Sequence, residues 1–127
     1  MIKKSKVVRK NHTWIKLDGN EHIWKYFIEE RIIFSISRLA ANQHSTVDPG
    51  HKDADEICYV ISGTVVMKFP NRNRWIELNE GDAILIGQEE PHQIMNTSSN
   101  EVIMVWCAAP GVNFGKKPSD EGFLISN

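Results

Sequence analysis

At 127 residues the chain has the length of one domain, large enough to bury a core without disulfide or metal staples. Its 15 basic and 16 acidic residues leave a net charge of −1, too weak a field to recruit nucleic acid or an anionic membrane, so a small-molecule ligand or substrate is the expected partner. Only two cysteines occur, Cys58 and Cys107, each inside an apolar run; they read as buried reduced thiols rather than a disulfide framework, which favours a cytoplasmic home.

Met1 to Lys10 carries five basic residues but is followed by polar Asn11-His12-Thr13, so it reads as a solvated arm and not as a signal peptide. No apolar stretch approaches the ~18 residues a membrane helix needs. Short runs rich in Val, Ile, Phe, Trp and Tyr, bounded by Gly, Pro, Asn, Asp and Ser, predict strands at Thr13 to Leu17, Ile32 to Leu39, Glu56 to Ile61, Thr64 to Phe69, Arg74 to Leu78, Ala83 to Ile86, His92 to Asn96 and Val102 to Ala108. Glu21 to Glu30 fits either a strand or a short helix. Ser62-Gly63 and Asn71-Arg72-Asn73 carry hairpin-turn signals, which together predict an antiparallel meander. The predicted organisation is N-terminal strands and arm over residues 1–35, packing on a barrel over 36–110, with an irregular tail over 111–127.

Three residues carry the chemistry: His51, Glu56 and His92. Two imidazoles and a carboxylate suit a divalent transition ion and leave coordination positions open for water or substrate. Alternation along the strand predicts that Cys58 and Val60 share the inward face of Glu56, while Ile57, Tyr59 and Ile61 face outward. The interior around this single acid should be mostly apolar, a costly setting for a carboxylate without a partner or a metal. Ile94 and Asn96 should share the face of His92, with Asn96 bonding backbone at a turn. Trp75, Trp106, Met67 and Met104 read as packing, His12 and His22 as exposed, and Gln43, Gln93 and Tyr59 as further polar groups for a pocket, without a spacing to support them.

The two stretches resemble the two motifs of the cupin superfamily. In the first, His51, Glu56 after four intervening residues and Gly63 after six more match the family's second His, its Glu and its Gly. In the second, Gly81, His92 and Asn96 fall in register. The resemblance implies an all-β double-stranded β-helix, a jelly-roll barrel, with one divalent transition metal ion (Fe, Mn, Zn or Ni) held inside by His51, Glu56 and His92. The sequence departs from the pattern in three places. Pro49 stands where the family has its first His, and Gly87 and Glu89 stand for its Pro and Gly. Either three residues hold the ion or a nearby side chain supplies the fourth; His44 is the first candidate, with Asp53 and Asp55 behind it.

The leading expectation is a small metal-dependent enzyme of oxygenase, isomerase or lyase type acting on a small oxygen-rich molecule. The alternative is a non-enzymatic module that binds a small ligand, with a structural metal or none. Apolar runs at Ile23-Trp24 and Ile32-Ile33-Phe34 predict pairing into a homodimer.

Overall fold

The computed structural model describes residues 4–111 and, for the backbone, 124–125; the predicted tail otherwise lies outside the described residues. Ten strands occur among the described residues: β1 (Trp14–Asp18), β2 (Glu21–Ile28), β3 (Ile33–Leu39), β4 (Asp55–Ser62), β5 (Thr64–Phe69), β6 (Arg74–Asn79), β7 (Ala83–Ile86), β8 (Gln93–Met95), β9 (Val102–Ala109) and β10 (Leu124–Ile125). The only helical turns among the described residues are the 3₁₀ segments Lys10–His12 and Pro70–Arg72. No helix there is long and apolar enough to cross a membrane. The stretch that fitted either helix or strand is β2, because the tight Gly19-Asn20 connection pairs it in register with β1 from Asp18↔Glu21 to Trp14↔Lys25.

The strands form two sheets, a seven-stranded one in the order β10-β1-β2-β3-β9-β4-β7 and a three-stranded one in the order β6-β5-β8. This is the double-stranded β-helix. Between the sheets lies a core built on Leu39, Cys58, Val60, Met67, Ile94 and Met104. The first three strands are continuous with the large sheet through β3 and β9, so the N-terminal region is part of the wall that carries the site.

The meander needs correcting. β4 and β5 do not pair: β4 bonds β7 and β9 while β5 bonds β6 and β8, so Ser62-Gly63 is a corner between sheets and not a hairpin. Gly63 is required there because its φ is +85° and a Cβ would meet the Glu101 carbonyl oxygen at 2.7 Å. The Asn71-Arg72-Asn73 turn does connect a hairpin, β5 to β6, with Asn73 left-handed at φ 47°. Trp75 is 57% exposed rather than packed, with the Lys68 ammonium 5.1 Å from its ring centroid across the β5–β6 ladder. His22 is half-buried against Trp24, not exposed, with ring centroids 4.4 Å apart.

Strand faces follow the alternation read from sequence. Cys58 and Val60 are buried, whereas Ile57, Tyr59 and Ile61 are exposed. Cys58 therefore points inward, while Cys107, the cross-strand partner of Ile57, sits on the outer face; both are free thiols. Asn96 is buried as a structural group: Nδ2 donates to the Leu39 and Asn100 carbonyls, and Oδ1 accepts from the Ser98 amide and hydroxyl.

Candidate metal centre

Glu56 enters the barrel from β4, whose inner face it shares with Cys58 and Val60. His51 precedes that strand in an irregular segment, tied down where the Glu89 amide donates to the His51 carbonyl at 2.9 Å. His92 stands just before β8 and exchanges two backbone hydrogen bonds with Asp48, at 2.7 and 2.9 Å. That isolated bridge brings the first motif against the second.

The side chains converge. His51 Nε2 lies 3.5 Å from Glu56 Oε2, and His92 Nε2 lies 3.4 Å from Glu56 Oε1. Asp48 completes the arrangement: its Oδ1 accepts from the Gly50 amide at 2.8 Å, and its Oδ2 is 3.8 Å from His92 Nε2. Ligand atoms of Asp48, His51 and Glu56 all lie within 4.8 Å of one another, which makes them a candidate metal-binding cluster. Asp48 was missed in the sequence because an Asp before a Pro reads as a turn residue. Its one usable signal was its place beside Pro49, where a ligand was due.

His44 lies elsewhere. It is exposed, bridges Met95, and turns Nδ1 to the Ser45 carbonyl at 2.9 Å. Asp53 and Asp55 are exposed. None of the three belongs to the grouped ligand atoms among the described residues; His92 is also outside that group and meets it through Glu56 and Asp48. Of the other polar candidates, Tyr59 faces outward and Gln93 donates to the Ser45 carbonyl at 2.8 Å.

Hydrogen bonding fixes the orientation of His92. Its Nδ1 is 2.9 Å from the Glu90 carbonyl, which only accepts, so Nδ1 carries a proton and Nε2 is the ring atom turned to Glu56. Glu56 Oε1 is buried without a hydrogen-bond partner. Nε2 and this oxygen face each other at 3.4 Å, a contact that either a proton on Nε2 or a metal ion between them would satisfy. Separations of 3.4 to 3.8 Å exceed those of charge-assisted hydrogen bonds but suit atoms each about 2.0–2.2 Å from one ion. The donor set fits a divalent transition ion.

Electrostatics agree with that fit. Burial pushes Glu56 up, but His51 and His92 outweigh it and hold the carboxyl at about 2. His51 is raised by its contact with Glu56; His92 is raised too, because Glu56, the Glu90 carbonyl and Asp48 together overcome the effect of burial. Without a metal the cluster holds protons that an incoming ion would displace. The Trp106 ring stacks on His92, with centroids 6.2 Å apart at 28°, and lines the adjoining cavity instead of serving only as packing.

The cavity, about 370 Å³, opens beside Asp48, His51 and Glu56 and continues to Asp18, Glu21 and Lys25. Glu56 is not the only acid inside, as the sequence had implied: Glu21, from β2, is 3% exposed. Burial, aided by Asp18, Glu56 and Asp48, pushes Glu21 up to about 8 despite the nearby Ser37 hydroxyl.

A family model described as "Cupin domain" matches residues 35–107. Among curated proteins, vicilin Pis v 3.0101 of Pistacia vera is 32% identical over 74 residues, 57% of this chain; the chain spans 14% of that relative's length. An uncharacterised double-stranded β-helix protein from Klebsiella pneumoniae superposes with a TM-score of 0.71 at 18% identity, covering 98% of this chain and 99% of that one. A predicted oxalate decarboxylase from Thermotoga maritima gives 0.69 at 16% identity, covering 83% and 99%. At such identities the structural likeness establishes the fold alone.

Proposed function

The chain belongs to the cupin domain family, and on that footing we propose that it is a small metal-dependent cytoplasmic enzyme acting on a compact oxygen-rich molecule, by oxygenase, isomerase or lyase chemistry. His51, Glu56 and His92 would hold one Fe, Mn, Zn or Ni ion, with Asp48 supplying the fourth position that Pro49 cannot. The observation that carries this reading is the convergence of His51 Nε2, His92 Nε2 and an Asp48 oxygen on Glu56, whose buried Oε1 has no hydrogen-bond partner. Bound there, the ion would polarise a substrate oxygen and stabilise negative charge developing on it.

The chain's own residues do the remainder. The Glu90 carbonyl orients His92 from behind, the usual second partner of a ligating histidine. The Gly50 amide holds one oxygen of Asp48 and leaves the other for the ion. Trp106 covers the His92 ring on the cavity side and limits water there. A buried Cys58 and a free Cys107 on opposite faces support the cytoplasmic assignment.

Elemental analysis of the purified protein beside His92→Ala and Asp48→Ala tests the reading. About one equivalent of a divalent transition metal is expected in the parent, near zero in His92→Ala and a reduced content in Asp48→Ala. A parent protein that takes up none of the four ions after chelation and reloading would overturn it.

A further inference from the structure

The cavity has two chemically different ends. One carries Asp48, His51 and Glu56; the other carries Lys16 of β1 with Glu21 and Lys25 of β2. In the β1–β2 ladder Lys16 is opposite Ile23 and Lys25 is opposite Trp14, so the lysines occupy diagonal positions on one face, within reach of a shared ligand. Glu21 stands two residues before Ile23 on that face, beside the Ser37 hydroxyl, which accepts from Trp106 Nε1 at 2.9 Å. Its Oε2 is buried and has no hydrogen-bond partner. A buried polar atom left unbonded is costly, and since Glu21 lines the cavity, a ligand group entering there is a natural partner for its carboxyl.

We propose that Lys16, Glu21 and Lys25 receive the carboxylate of a small hydroxy acid whose hydroxyl oxygen reaches the Asp48, His51, Glu56 and His92 cluster. The inference rests on the metal-site reading and adds the ligand class to it. An acidic, imidazole-bearing end suits a cation and a lysine-bearing end suits an anion, so a molecule that joins them carries a metal-binding oxygen and a negative group. Glu21 faces Asp18, Asp48 and Glu56, with Lys16, Lys25 and His51 also lining the cavity; raised to about 8 by burial, it keeps its proton at neutral pH. It therefore donates to the ligand's oxyanion instead of repelling it. The volume of about 370 Å³ limits the ligand to a small molecule.

Calorimetric titration of the zinc-reloaded protein with glycerate, and with glycerol as the neutral analogue, tests this. Glycerate should bind at least tenfold more tightly than glycerol. Lys25→Met and Glu21→Leu should each reduce that preference tenfold or more, while Glu21→Gln, which keeps a donor, should retain most of it; thermal melts confirm that each variant is folded. Zinc content measured in the same samples reports the metal reading separately. Zinc retained with glycerate no tighter than glycerol, or a preference unchanged in Lys25→Met and Glu21→Leu, overturns the carboxylate site alone. A glycerate preference that persists in protein unable to take up zinc supports the lysine wall and removes the metal reading.

Discussion

Asp48 shows how one position can lose a ligand type and keep a ligand. Pro49 restricts the residue before it to extended backbone, and that conformation is the one Asp48 needs to bridge His92. The carboxylate thus reaches the cluster from one residue earlier than the missing histidine would have. His51, Glu56 and His92 were legible in the sequence because their spacing is fixed by strands and turns; Asp48 was not, since a through-space bridge to residue 92 places it. Glu21 was hidden for a related reason. At the start of a strand after a Gly-Asn turn, a Glu reads as solvent-facing, and only the curvature of the sheet turns it into the cavity. Its burial has a consequence for stability. Ionising in the unfolded chain near 4.5 but in the fold only near 8, Glu21 contributes stability that is fully present below about pH 4.5 and is lost as pH rises through 8. At about 1.4 kcal/mol per unit, the difference from Glu21→Gln should reach roughly 5 kcal/mol by pH 9. His51 and His92, also raised, lose stability in the same direction in both proteins, so the comparison isolates Glu21. Urea unfolding midpoints measured from pH 5 to 9 should converge with pH from a parent advantage, or diverge in favour of the variant; parallel curves would exclude a perturbed Glu21.

Between strands, the elements that build the site are two loops pressed together. Gly50 has φ +87°, and a Cβ on it would lie 2.6 Å from the Glu90 amide nitrogen, so the first motif packs directly on the backbone of the second. On the other side of that contact Glu89 takes a left-handed φ of 56° at the position where a glycine was expected from the resemblance. The positive φ is thus kept while the residue type is not, at a strain of roughly 1 kcal/mol. Gly81 offers an internal control, with φ +89° and nothing within 4 Å of its added Cβ. Gly81→Ala should cost about 1 kcal/mol from backbone conformation alone. Gly50→Ala should cost about 2 kcal/mol or more, because the clash with Glu90 is added to the same strain, and it should also lower metal content by moving His51 and Asp48 away from His92. Equal losses of thermal stability in the two variants would show that the loops are not in the contact described. At this scale strand existence and facing were legible, since period-2 alternation sets both. Pairing partners were not. The bonds of β9 to β3 and β4 join residues far apart in sequence, and alternation says which side a residue faces but not which strand lies beside it.

Across the whole molecule, the inner face of the seven-stranded sheet is committed to core and cavity, which leaves its outer face to be explained. Ile57, Tyr59, Ile61 and Leu85 stand exposed there, Leu85 at 66%, with Leu85 directly opposite Ile57 in the β4–β7 ladder. Trp24 and Phe34, from the runs first expected to mediate pairing, are only half-buried, but Ile23 lines the cavity and Ile33 is in the core. Ile32 of those runs also stays exposed, at 41%, and the exposed side chains of β4 and β7 add a second apolar surface for pairing. Contiguous apolar side chains along an edge of a sheet are uncommon on a monomer, and a flat patch bearing an edge strand matches itself across a two-fold axis. We propose a homodimer through this face. Light scattering at micromolar concentration should give twice the 14.5 kDa chain mass. Leu85→Asp together with Tyr59→Asp should shift the protein to the single-chain mass without loss of fold, because both side chains project away from the core. Metal content should be unaffected, since the cluster is lined from the opposite face of the same strand: Glu56 and Ile57 are neighbours in β4 that point to opposite sides. A parent that is already monomeric, or a double variant that remains dimeric, would remove this interface.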